Sequence, residues 1–378
     1  MKRQILTLLL LIGLAVASCT TEKQNVITGK VDGLQVGDKI ILLTEDIDGA
    51  SWLPADSTIV EKENEFTIKT NITGDYVMLR YKNAEARIFL EGYANLQVVG
   101  NTDQWRYVKI TGGIYGHPDL QEIIYIVDSG LVIQQKAIAL MNESRESGDT
   151  AKMAEGSKLI RESNGIIMSS YPLESEFIIK YPDLTYSAGM LRYKHYEMET
   201  FEEYENAFAA LTPEVQGSPA GLKIKRYIDN TKASSVGAEA PDFSLVGLDE
   251  QTVTLSDYRG KYVLLDFWGS WCGPCRQSSP KLVELYNKLK EKNANIEFIG
   301  IGCSEKGDEK WKEAIEKDGL TWIHINDVHS ASGKSIQSAY AIDGVPTCVL
   351  VSPDGIIEYK EHPFDLIPTV KELFEIKD

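Results

Sequence analysis

Cysteine is scarce in this chain, and its distribution says more than its number. Five occur in 378 residues, and Cys272, Cys275, Cys303 and Cys348 all fall in the last third. A secreted disulfide scaffold spreads its cysteines along a short chain, so that class is excluded. Histidine is equally rare, at five, with no HxxH spacing and no second CxxC. Positive charge is also short: 39 Lys and Arg against 56 Asp and Glu leave a net charge of −17. Such a surface repels phosphate backbones and anionic headgroups, so nucleic acid is not an expected partner. Any attachment to a membrane has to come from something other than charge. There is no low-complexity tract, and 43% apolar with 25% charged residues is the composition of a folded protein.

What is present begins at the start of the chain. Lys2 and Arg3 precede an apolar run from Ile5 to Val16, followed by the small residues Ala17 and Ser18 and then Cys19. This is the order of a secretory signal, and the run is well short of the roughly 20 residues a spanning helix needs. No later segment reads as a membrane span. Val16-Ala17-Ser18-Cys19 resembles the bacterial lipobox, which implies removal of 1–18 and a lipid on Cys19; the other reading is an ordinary signal with a chance cysteine. The lipobox reading makes the protein a periplasm-facing lipoprotein of the cell envelope, with the membrane as a partner through the Cys19 lipid.

Residues 19–25 read as a polar tether. From 26 to 115 strand patterns predominate: alternation at 27–31, an apolar run at 39–43, and further strands at 65–69 and 76–80, parted by turns such as Val36-Gly37-Asp38 and Thr73-Gly74-Asp75. Short strands at this spacing predict a β-sandwich-like domain. Over 116–233 the period becomes helical, as in Leu120, Ile123, Ile124, Val127 and Leu131, with more helix at 150–168 and 201–211. Prolines at 172, 182, 213 and 219 are expected to break these helices. From 236 to 378 strands and helices alternate, which predicts an α/β fold with a mixed central sheet.

In that last region a buried-looking strand, Lys261 to Trp268, runs into Trp271-Cys272-Gly273-Pro274-Cys275 and then an amphipathic stretch, Pro280 to Lys290. At a helix N-terminus the unpaired N–H groups and the macrodipole favour negative charge, so the first thiol ionises more readily than a free cysteine. Cys272 is therefore the candidate nucleophile. Cys275, one turn on, is the candidate resolving thiol, and Pro274 is tolerated because its missing N–H has no partner there. The same spacing also serves half of a tetrahedral zinc site, whose remaining ligands Cys303, Cys348 and the histidines do not cluster to supply. On the redox reading no cofactor is needed beyond the Cys272–Cys275 pair.

Trp271 to Cys275, with Asp266-Phe267-Trp268 before it, matches the thioredoxin active-site sequence. The whole of 236–378 resembles the ResA/TlpA branch of the thioredoxin superfamily, through Val236-Gly237-Ala238-Glu239-Ala240-Pro241-Asp242-Phe243, Thr254-Leu255-Ser256-Asp257-Tyr258-Arg259-Gly260-Lys261 and Val345-Pro346-Thr347. Residues 26–230 resemble, less specifically, the region found ahead of such domains in Bacteroidetes-type lipoproteins. The resemblance implies a thiol:disulfide oxidoreductase acting on disulfide-bearing exported proteins and recharged by an envelope electron donor. It implies a cis-proline at Pro346 facing the disulfide, a buried proton acceptor at Asp266, and a shield at Trp271. Each also has a structural alternative: a trans strand-edge proline, a solvated strand-end aspartate, a packing indole.

Two departures bear on proton handling. Many ResA-like proteins carry a glutamate three residues after the second cysteine, where this chain has Ser278, and the strand at 296–302 lacks the lysine that partners the aspartate in thioredoxins. In the family's sheet order the active-site strand separates Cys303 from Cys348 by about 9–10 Å, beyond the ~7 Å that a disulfide spans. Both are read as buried small residues, with Cys303 a possible third redox thiol. A thiol peroxidase is the second functional class, although Gly269 stands where peroxiredoxins need Thr or Ser. A ligand-binding lipoprotein with a secondary redox domain is the third.

Overall fold

The computed structural model describes residues 23–47, 52–248, 250–305, 307–327 and 335–377. Cys19 and the leader before it lie outside the described residues. Strands come first: β1 (Asn25–Asp32), β2 (Lys39–Glu45), β3 (Trp52–Ile59), β4 (Glu65–Thr70), β5 (Asp75–Tyr81), β6 (Ala84–Leu90), β7 (Asn95–Asn101) and β8 (Lys109–Gly112). They form two four-stranded sheets, β4-β1-β7-β8 and β3-β2-β5-β6. The alternating inward residues Ile27 and Val31, Ile40 and Leu42, Val77 and Leu79, Leu96 and Val98 fill the space between, with Trp105 beside them. Trp105 is fully buried because its indole N–H donates to the Leu79 carbonyl at 2.8 Å. Strands β3, β6, β7 and β8 are additional to those the alternation pattern marks. In β3 the reason is visible: Leu53 and Ile59 face solvent, so its apolar residues carry no inward signal.

The helices are α1 (Gln121–Ser147), α2 (Thr150–Met168), α3 (Tyr171–Lys180), α4 (Thr185–Leu191), α5 (Phe201–Ala209), α6 (Pro213–Gln216) and α7 (Pro219–Ala233). Pro172, Pro213 and Pro219 open α3, α6 and α7 instead of breaking helices, because the first turn has no use for their missing N–H. One expectation is corrected here. Pro118–Ser147 is long and apolar enough to cross a membrane by length and composition, although no later segment was read as a span. It pairs with α2 as a hairpin in which Gly130, Ala137 and Ser144 bury against Gly156 and Ser163. A Cβ at Gly130 would stand 2.5 Å from Ile167 Cγ1, so the close approach requires glycine.

The last region holds β9 (Ser244–Val246), β10 (Thr252–Thr254), β11 (Tyr262–Trp268), α8 (Gly273–Glu291), β12 (Ile296–Gly302), α9 (Glu309–Asp318), β13 (Ile323–Asn326), α10 (Ile336–Ala339), β14 (Thr347–Val351), β15 (Ile357–Glu361) and α11 (Pro363–Leu373). Its five-stranded sheet has the order β13-β12-β11-β14-β15, with β11, β12 and β13 parallel, β14 antiparallel to β11 and β15 antiparallel to β14. This is the expected mixed, thioredoxin-like sheet. One face is covered by Leu282, Leu285 and Leu289 of α8, Trp311 of α9 and Leu366 and Val370 of α11. The other packs on Leu245, Val253, Ile336 and Tyr340. β11 sits centrally, and all of it from Val263 to Trp268 is buried. The turn after it is therefore held rigidly at the sheet's edge.

Candidate functional site

Cys272 is the N-cap of α8 and Cys275 lies in its first turn, after Pro274. The two are joined as a disulfide with their Cα atoms 5.3 Å apart. The backbone N–H of Cys275 points at Cys272 Sγ from 3.1 Å. That N–H belongs to the unpaired first turn, so in the reduced protein it favours a thiolate at Cys272. Both cysteines are buried. The Val345–Pro346 bond is cis, as expected for Pro346, and the Val345 carbonyl oxygen lies 3.6 Å from Cys272 Sγ. The cysteine turn and the proline loop thus form one surface.

Asp266 is buried, 4% exposed, on β11, the strand that runs into the cysteine turn. Burial pushes its carboxyl up to about 7, against a weaker opposing hydrogen bond from Cys348, whose Sγ is 3.6 Å from Asp266 Oδ1. A carboxyl that titrates near neutrality can accept a thiol proton at physiological pH. Cys348 is fully buried and its thiol is pushed well above its ordinary range by burial, then by Asp266. Cys303 is 1% exposed, and burial likewise drives its thiol far up. Neither is disposed to ionise. Strand β11 lies between β14, which carries Cys348, and β12, which Cys303 follows, and both are free thiols.

Trp271 is 60% exposed, and its indole N–H donates to the Cys303 carbonyl at 3.1 Å. The ring stands at the rim and does not pack into the core. Ser278 is buried, and its hydroxyl donates to the Cys275 carbonyl at 2.9 Å. Sequence reasoning missed Glu305. It is 6% exposed, and its carboxylate accepts from the Ser270 N–H at 2.5 Å and the Ser270 hydroxyl at 2.8 Å, tying the loop after β12 to the turn that carries Trp271 and Cys272. One glutamate in a chain with so many acids gives no local signal. Arg276, on the first turn of α8, is paired with Asp318.

The helical region grips the proline loop, another feature not visible in the sequence. Asp343, three residues before Pro346, accepts from the Tyr227 hydroxyl at 2.6 Å through its carboxylate and from the Tyr196 hydroxyl at 3.1 Å through its carbonyl. Asn230 of α7 donates to the Ser338 carbonyl at 2.8 Å. A cleft of about 490 Å³ opens there, lined from one side by Arg87, Tyr193 and Tyr196 and from the other by Ser304, Ile342 and Asp343. Among the described residues no group of three or more His, Cys, Asp or Glu is gathered where it could hold a metal ion.

The AhpC/TSA family profile matches residues 236–360, and a domain of unknown function, DUF4369, matches 25–115. The chain is 36% identical over 132 residues to the thiol-disulfide oxidoreductase ResA of Geobacillus kaustophilus, covering 35% of this chain and 72% of that protein. To ResA of Bacillus thuringiensis it is 36% identical over 129 residues, covering 34% and 70%. Among solved structures, the thioredoxin domain of a thiol-disulfide oxidoreductase from Bacteroides vulgatus is 34% identical over 37% of this chain and 98% of that one, with a TM-score of 0.33.

Proposed function

The chain belongs to the ResA-type thiol-disulfide oxidoreductases, and from that premise we propose that it works as a dithiol reductase of exported proteins, with Cys272 as nucleophile and Cys275 as resolving thiol. The observation that carries the roles is the Cys275 N–H aimed at Cys272 Sγ at the start of α8; Asp266, buried on the strand before it, is the proposed proton acceptor. In the reduced protein the Cys272 thiolate attacks one sulfur of a substrate disulfide. That S–S bond breaks, a Cys272–substrate disulfide forms, and the departing substrate thiolate takes a proton. Asp266 removes the proton of Cys275, whose thiolate then attacks Cys272 Sγ. The Cys272–Cys275 disulfide forms, and the second substrate thiolate leaves. Two electrons have passed to the substrate, and an envelope dithiol donor must return them.

Pro346 presents the neighbouring backbone to the substrate, and Trp271 covers the rim of the disulfide. Lipid on Cys19 would hold the domain at an envelope membrane facing the periplasm; a Cys19→Ala protein is then expected in the soluble fraction or unprocessed, without incorporation of labelled fatty acid. The redox roles are tested by trapping. Cys275→Ala should hold its substrates as mixed disulfides at Cys272, while Cys272→Ser should reduce no protein disulfide with a dithiol donor. Full activity of Cys272→Ser would contradict the assignment.

A further inference from the structure

One side of the redox sheet carries a set of buried polar atoms with no partner. Trp268, Trp311 and Trp322 are 1%, 0% and 6% exposed, and the indole nitrogen of each is unpartnered, as is Nδ1 of His324, itself 4% exposed. They form one cluster: the His324 ring centroid lies 6.0 Å from that of Trp268, 5.9 Å from Trp311 and 5.7 Å from Trp322. A buried donor or acceptor left unpaired costs about 1–3 kcal/mol, so four in one cluster point to buried water as their partner.

The register shows where such a partner would sit. Asp266 on β11 pairs with Gly300 on β12, and Gly300 with His324 on β13, so the three residues stand in a row on one face. Gly300 contributes no side chain. A Cβ there would be 2.3 Å from His324 Nδ1 and 3.1 Å from Trp322 Nε1, so the imidazole lies across the glycine toward Asp266. Two residues on, Trp268 pairs with Gly302, where a Cβ would be 2.8 Å from Trp311 Nε1. Neighbouring strands lie ~4.8 Å apart, so an imidazole leaning across the intervening glycine comes within reach of a water that also touches the Asp266 carboxylate.

We propose that Asp266, His324 and the indole N–H groups of Trp268, Trp311 and Trp322 line a buried water site that solvates the Asp266 carboxylate, making His324 a positioning residue for the resolving step. The inference rests on the reading of Asp266 as proton acceptor. His324 Nε2 lies 3.2 Å from the Leu320 carbonyl, so Nε2 carries the hydrogen and Nδ1 offers a lone pair. A water can donate one hydrogen to Nδ1 and one to Asp266 while accepting from two indoles, a full complement of hydrogen bonds. Burial holds the imidazole down to about 4, so it stays neutral and an acceptor at pH 7. The other titratable groups on this side of the sheet are Cys348 on β14, whose Sγ is 3.6 Å from Asp266 Oδ1, and Cys272, Cys275 and Tyr286 of α8; Cys303, after β12, packs on the opposite face but feels the Asp266 charge. None carries a positive charge that could replace this solvation.

The test uses the mature chain with the cysteine pair reduced. The titration of the Asp266 carboxyl is followed by carbon NMR, and the resolving rate by stopped flow from pH 6 to 9, in His324→Phe and His324→Gln. His324→Phe keeps a ring but loses the acceptor, so the Asp266 midpoint should rise by about one pH unit and resolution below that midpoint should slow about tenfold. His324→Gln restores an acceptor and should lie within about threefold of the wild type. Trp311→Phe, which removes a single donor and keeps an aromatic ring, should shift the midpoint the same way by less, and serves if His324→Phe does not fold. An Asp266 midpoint in His324→Phe or Trp311→Phe equal to that of the wild type would overturn the water site. The NMR midpoint does not depend on whether Asp266 is the base; that is read separately, from the resolving rate of Asp266→Asn.

Discussion

Where the β-sandwich meets the helices, Glu45, Asp75, Arg192 and Lys223 are buried as a closed set: Arg192 and Lys223 both pair with Glu45, and Lys223 also with Asp75. In the redox sheet, Asp266 and His324 are buried, and among the described residues no opposite charge counters that burial, only a thiol and a backbone carbonyl. The consequences are opposite. Burial pushes Glu45 up, but its two cations outweigh burial and hold the carboxyl below its usual range, so it stays ionised. Burial of Asp266 is met only by a thiol, and its proton affinity is brought to neutrality. Charges that hold regions together are paired, whereas a carboxyl left short of partners is brought to where it can exchange protons near neutrality.

Removing one member of the closed set should have the larger effect on stability. Lys223→Met leaves Asp75 buried without its cation, and chemical denaturation should show a loss of about 3–5 kcal/mol. Redox activity per folded molecule should change little, and a loss below about 1 kcal/mol would break the comparison. Asp266→Asn should act in the other direction. The folded carboxyl has a raised pKa, so wild-type stability falls as pH rises from about 4 to about 7 and is level above. The Asn variant escapes that fall, gaining at most about 4 kcal/mol above pH 7 and nothing below pH 4. Denaturation of both proteins across pH 3 to 9 reads this directly.

His324 gives the smaller effect. Its folded pKa is lowered to about 4 by burial. The unfolded histidine takes up a proton from pH 6.5 downward and the folded one does not, so stability is full above pH 6.5 and is lost as pH falls toward 4. His324→Gln should flatten that part of the curve. An unchanged acid limb would mean that His324 is more accessible to protons than its burial implies.

Much of the redox region could be read in advance because its signals are local. The buried run of β11, the CxxC turn and the Pro346 loop each announce themselves within a few residues, and the sheet order followed from the resemblance they carry. What stayed hidden depends on contacts between distant residues. Glu305 reaches Ser270 across 35 positions, and Tyr227 reaches Asp343 across 116. Gly300 and His324 are unremarkable in sequence and become informative only when register puts them in line with Asp266. The β3 edge strand was illegible for another reason, since its apolar residues Leu53 and Ile59 face solvent.

The central claim is that Asp266 is buried unpaired because it takes the Cys275 proton. It is tested most directly by stopped-flow separation of the two thiol steps in Asp266→Asn from pH 6 to 9. Asn keeps the shape and removes the base, so decay of the mixed disulfide should slow about a hundredfold near pH 7, while the first attack by Cys272 changes by less than about threefold. A resolving step with the wild-type rate and pH profile would contradict the account and leave Asp266 a structural residue, with the proton passing to water alone.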